Sequence, residues 1–123
     1  MPIQLPDARQ LSDEALQVLD SLINQYPAHS LIQYSIYKKA LIMDAKKNYS
    51  EEDSLLKHVV EKFPDGVLAD DALFQRAQLY DKKLNDSAKA MELYGDLLTK
   101  YPGSLYVVDA RKRFRALRGD IVN

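Results

Sequence analysis

A chain of 123 residues, 46% hydrophobic and 28% charged, is long enough to bury one modest core, and its composition argues against a disordered chain. A formal net charge of −1 excludes a global attraction to nucleic acid or anionic membrane, and the absence of cysteine excludes disulfides, thiol catalysis and thiolate metal sites. No apolar run approaches the ~20 residues needed to span a bilayer, and "MPIQLPDARQ" shows no basic region followed by an apolar stretch of the signal-peptide kind.

Six helices are predicted in chain order, with no strand. Residues 1–11 read as an irregular lead-in. Ser12 then precedes "DEALQVLDSLINQY", where Asp13 and Glu14 suit the positive end of a helix dipole, so a first helix is expected over about 12–26. A second is expected over 30–47, closed by Lys46 and Lys47. "SEED" at Ser50–Asp53 has the form of a capping box and opens a third, about 50–63. The fourth, about 67–83, ends on Lys82 and Lys83. The fifth covers about 86–101 and carries Gly95 at a cost of about 1 kcal/mol relative to alanine. The sixth spans about 104–118, before a short tail at 119–123.

An aromatic-proline pair recurs three times, as Tyr26-Pro27, Phe63-Pro64 and Tyr101-Pro102, with the prolines 37 and 38 residues apart. Each pair closes an amphipathic segment. Leu22, Val59 and Leu97 stand five before the proline, Leu19, Leu56 and Tyr94 eight before, and Ala15 and Ala90 twelve before, where the middle copy has Glu52. Those offsets fall on one stripe of a helix, and the proline stops it by pushing the preceding residue out of the α region. After the proline, Ser35, Ala72 and Ala110 stand at the eighth place, and Ala40 and Ala77 at the thirteenth, where the last copy has Arg115. Small residues at these places let two helix backbones approach closely. The unit is helix, turn, helix, proline, and the expected fold is an all-α, α-α superhelix forming a single domain over 12–118. Its phase is offset, because it opens on the second helix of a unit and closes on the first helix of another, which is the pattern of a segment of a longer repeat array.

"AMELYGDLLTKYP" at Ala90–Pro102 resembles the second-helix signature of the tetratricopeptide repeat, and Ala15-Leu19-Leu22-Pro27 and Leu56-Val59-Pro64 repeat it. The excess over the usual period of about 34 residues sits after the proline, in "YP-x-S" form. That longer joint is similar to the subgroup of bacterial envelope proteins that includes the TolA-binding cell-division coordinator and the BamD-type outer-membrane assembly lipoproteins. The resemblance implies a non-catalytic scaffold in the bacterial periplasm or cell envelope, binding another protein or peptide on the concave face lined by first helices.

On that face the residues flanking the packing stripe are Tyr34, Tyr37, Leu41 and Asp44 in one unit and Asp71, Phe74, Gln78 and Asp81 in the next. Tyr80 and Tyr94 are expected in the core, and Tyr26, Phe63 and Tyr101 as plugs between units. No catalytic constellation, metal set or cofactor loop is readable. His29 and His58 fall in different units outside any ligand pattern, and the acids Glu51–Asp53 and Asp70–Asp71 suit first helical turns. The sixth helix is basic, with Arg111, Lys112, Arg113, Arg115 and Arg118, and is expected to present a solvated face, an acidic-partner surface or, third, a contact for nucleic acid or anionic lipid. A structural or self-association module, extending or dimerising a solenoid through the first helix, is the alternative to partner binding, and a homodimer would form there.

Overall fold

The computed structural model describes the backbone of residues 8–25 and 31–122, and the side chains within those ranges except at 8–12, 22–23, 25 and 120–122. The helices are α1 (Ala8–Gln25), α2 (Ile32–Ala45), α3 (Tyr49–Lys62), α4 (Ala69–Lys82), α5 (Ser87–Lys100) and α6 (Val107–Val122), and no described residue lies in a strand. The architecture is all-α and of the helical-repeat kind. The expectations for Tyr26, Pro27, His29 and the side chain of Leu22 fall outside the described residues.

Local chemistry explains where the helix ends differ from those expected. Ala8, Arg9, Gln10 and Leu11 are all strong helix formers, so α1 starts four residues before Ser12. Ser50 lies inside α3 and does not cap it; the Asn48 side-chain oxygen accepts from the Glu51 amide at 3.3 Å instead. α2 closes through a left-handed residue, Lys47 (φ 61°), whose amide donates to the Asp44 carbonyl at 3.0 Å while the Asn48 amide reaches the Met43 carbonyl at 2.9 Å. Asp86 caps α5 by accepting from the Lys89 amide at 3.0 Å. α6 starts at Val107, three residues late, because Ser104 Oγ takes the Tyr106 amide at 3.1 Å and holds the joint as a turn. It also continues through Gly119, so most of the expected tail is helical.

The chain divides into two compact units, Met1–Leu55 and Leu56–Asn123, with the boundary inside α3. In the first, α1 packs on α2. Lys46 reaches Asp13 at 2.6 Å and Lys39 reaches Asp20 at 2.7 Å, so one index rises by seven as the other falls by seven and the pair runs antiparallel. Ile32, Ile36, Ala40 and Met43 are buried. So is Glu52, at 0% exposure, in the slot where the other copies carry alanine. Its sequence position suggested a dipole role at the helix start, which suits the exposed Glu51 but not this buried carboxyl.

In the second unit α5 packs on α4 and α6 packs on α5. One cluster holds the core: Leu73, Phe74 and Ala77 of α4, Ala90, Leu93, Tyr94 and Leu97 of α5, and Ala110 and Leu117 of α6. Leu56 and Val59 are also fully buried. Gly95 lies where the Phe114 ring crosses α5, with ring carbons 3.4 and 3.8 Å from the place a Cβ would take. That is ordinary van der Waals spacing. Gly95→Ala is therefore expected to stabilise this unit by about 0.5–1 kcal/mol, through helix propensity and reduced freedom of the unfolded chain. A raised urea midpoint by circular dichroism would show it, and a lowered one would mean that the Phe114 ring cannot yield.

Candidate functional site

The expected concave-face residues separate into two sets, one per unit. In the first, Tyr34 is 51% exposed, with the Lys38 ammonium 5.3 Å from its ring centre. Tyr37, Leu41 and Asp44, spaced along the same helix, are half-buried. Aromatic and acidic side chains thus share one side of α2 within reach of solvent.

The second set is mostly committed to the fold. Phe74, expected to line the groove, is 9% exposed and belongs to the core. Its ring stacks on Tyr106 with centroids 4.5 Å apart and planes 13° from parallel, and meets Tyr94 edge-on at 6.0 Å. The Tyr106 hydroxyl donates to Asp71 at 2.6 Å, so that acid is engaged as well. Of this set, Gln78 remains half-buried.

Asp81 is the centre of a buried polar junction. Arg113 grips it in bidentate fashion, Nε to one carboxylate oxygen at 2.8 Å and Nη2 to the other at 2.9 Å, while the Tyr94 hydroxyl donates at 2.9 Å. The Asp81 side chain is 5% exposed and that of Arg113 42%. Burial pushes the Asp81 carboxyl up, but the Arg113 and Tyr94 bonds and the Arg113 and Lys82 charges together outweigh it and hold it below the usual carboxylate range. Tyr94 shifts the other way: burial, then its bond to a carboxylate, raises the phenol well above its ordinary value. Arg113 is raised too, first by its hydrogen bond to Asp81.

Two further bonds fix the joint between units of the repeat. Ser104 donates to Asp70 at 2.6 Å, and the Tyr101 hydroxyl donates to the Pro64 carbonyl at 2.7 Å. Tyr101 is half-buried, so its role as a plug rests on this bond as much as on its ring. Burial and the charges of Asp65 and Asp70 raise its phenol. Together the ties Asp70–Ser104, Asp71–Tyr106 and Asp81–Arg113 advance along α4 and along the joint into α6 in the same direction, so these two helices run parallel with α5 returning between them.

Tyr94 is fully buried as expected for the core, whereas Tyr80 is half-buried beneath the Arg76 guanidinium, 5.8 Å from its ring centre. Within the basic helix, Arg113 is withdrawn from the patch by Asp81, while Arg111, Lys112, Arg115 and Arg118 are exposed. Sequence reasoning missed Ser104, Tyr106 and the Asp81–Arg113 pair. The partners stand 32 to 35 residues apart, close to one repeat period, and that spacing is the signal that could have linked them. His58 is exposed. Among the described residues no group of three or more His, Asp or Glu is placed to hold a metal ion, and no helix is long and apolar enough to cross a membrane.

No curated protein matches the chain. Residues 71–104, which run from the first turn of α4 through α5 to the joint serine, match the tetratricopeptide repeat family. Repeats of that family generally mediate protein–protein interaction and scaffolding. The α4–α5 hairpin of this all-α helical-repeat chain is thus similar to a tetratricopeptide repeat.

Proposed function

We propose that the chain is a non-catalytic scaffold that binds a partner protein or peptide through the first helices of its repeats. The observation that carries this is the tetratricopeptide match over 71–104, in a chain whose sequence repeats the same pattern at 37 and 38 residues. The described surface offers suitable anchors on α2, where exposed Tyr34 and half-buried Tyr37 bring large contact area at low entropic cost, beside Leu41 and Asp44. On α4, Gln78 is the open member of the set. The long "YP-x-S" joint, with its resemblance to envelope proteins, supports the bacterial periplasm or cell envelope as the place of action.

The test is affinity capture and cross-linking with wild type, a Tyr34→Ala/Tyr37→Ala variant and a control variant on α3, Lys57→Ala/His58→Ala. Phe74 is excluded because its loss would unfold the repeat. Partners recovered by wild type and the α3 control but lost with the α2 variant carry the proposal. Equal recovery by all three removes the first helices from it. Self-association through α1 has less to stand on, since among its described side chains Val18 is the one exposed large hydrophobic.

A further inference from the structure

Aligning the three first helices by the repeat period exposes a replacement that composition hides. Ile36, Tyr37, Ala40 and Met43 of α2 correspond to Leu73, Phe74, Ala77 and Tyr80 of α4, and to Arg111, Lys112, Arg115 and Arg118 of α6. In α4 three of these four are core residues that meet Ala90, Leu93, Tyr94 and Leu97, so this is the face α4 turns to α5. In α2 three of the four are likewise buried and the fourth half-buried. In α6 all four are cations and all four are exposed. The opposite side of α6 keeps its apolar residues: Ala110 and Leu117 join the α5 cluster, and Phe114 lies over Gly95.

The four cations span about two turns and an arc of about 120°, with no acid inside it. Val108, 66% exposed, stands on the same arc one turn earlier, and Leu105, 94% exposed, precedes it in the turn. Solvation alone would be met by mixed polar residues. Cations three and four apart repel and destabilise a helix. Among the described residues no carboxylate is recorded against Arg111, Lys112, Arg115 or Arg118, and Arg118 rests over the Phe114 ring at 5.5 Å.

We infer that the Arg111, Lys112, Arg115 and Arg118 face of α6 is a docking surface for an acidic amphipathic helix of a partner protein, received in the position that α5 takes on α4. The register supplies a helix-sized seat, charge complementarity selects carboxylates, and Leu105 and Val108 supply an apolar anchor at one end. Three arginines among the four favour fixed, bidentate contacts with carboxylates. A single-stranded nucleic acid would call for an aromatic stacking platform, which this face lacks. The cations lie on α6, whereas the anchors of the proposed function lie on α2 and α4, and either can fail without the other.

The probe is a fluorescent 18-residue helical peptide with leucine on one stripe and glutamate flanking it, alongside a twin with glutamine for every glutamate. Binding to the full chain is read by anisotropy at low and high salt. The glutamate peptide is expected to bind, more weakly as salt rises, and the glutamine twin is not. Combining Arg111→Gln, Lys112→Gln, Arg115→Gln and Arg118→Gln should weaken binding about 20-fold or more, at about two- to fivefold per charge. Combining Lys47→Gln, Lys57→Gln, Lys62→Gln and Lys100→Gln, which removes the same charge from exposed sites elsewhere, should change it less than about threefold. Thermal melts should show both variants folded. Equal loss in the two variants, or no binding of the glutamate peptide at low salt, overturns the inference. So does tighter face-dependent binding of phosphatidylserine vesicles or duplex DNA, which would assign the face to a membrane or a nucleic acid.

Discussion

Replacing Phe74 by alanine is expected to cost about 3–5 kcal/mol, the range for truncating a buried aromatic ring in a core. The ring is 9% exposed, lies flat on Tyr106 and meets Tyr94 edge-on, so a truncation opens space between α4, α5 and the entry to α6 at once. A unit of this size holds only about 3–10 kcal/mol of net stability, so the variant should be largely unfolded in its second half. The measurement is a urea titration followed by circular dichroism, with the half-exposed Tyr34→Ala as comparison. That surface change should stay within about 0.5 kcal/mol. If Phe74→Ala instead kept the wild-type midpoint and lost only partner binding, the ring would belong to a ligand surface and its place in the core would be wrong.

Phe74 also shows where the sequence was legible and where it was not. The repeat stripe was readable because it uses helical period: Ala40, Leu56, Val59, Ala77, Ala90, Tyr94 and Leu97 are all fully buried. A first helix in a stacked array has a second neighbour, however, in the repeat that follows. Periodicity identifies the side facing its own hairpin partner, whereas a contact with the next repeat depends on residues a full period away. Phe74 looked free on α4 alone because the ring that stacks on it, Tyr106, stands 32 positions later. For the same reason Asp71 and Asp81 read as groove acids, and Arg113 as one cation among five. Glu52 differs: an acid in a first helical turn is ordinarily exposed, and its place in the alanine slot of the repeat is the signal that marks this one as buried.

Removing Arg113 tests the other joint that crosses a period. Arg113→Ala leaves a nearly buried Asp81 carboxylate with the Tyr94 hydroxyl as its remaining side-chain donor, and is expected to cost about 2–3 kcal/mol near neutral pH. The upper end of the buried-pair range is not reached because Arg113 is partly exposed, so solvent already screens the pair. Its pH dependence follows from the directions of the shifts. The folded-state pKa of Asp81 lies below its ordinary value of 3.8, so the pair's contribution is present above that value and is lost as pH falls through the folded one. The gap between wild type and Arg113→Ala should therefore be widest near neutral pH and narrow as pH falls, first as the unpaired Asp81 of the variant protonates and then as that of wild type does. At the alkaline end the Tyr94 phenol, raised by burial and by Asp81, contributes stability that is complete below about pH 10 and falls away above it. Tyr94→Phe should abolish that alkaline loss. A gap between wild type and Arg113→Ala that stayed constant down to pH 2 would mean that Asp81 does not ionise against Arg113. The tie between α4 and α6 would then rest on the Phe74–Tyr106 stack and the Asp70–Ser104 and Asp71–Tyr106 bonds.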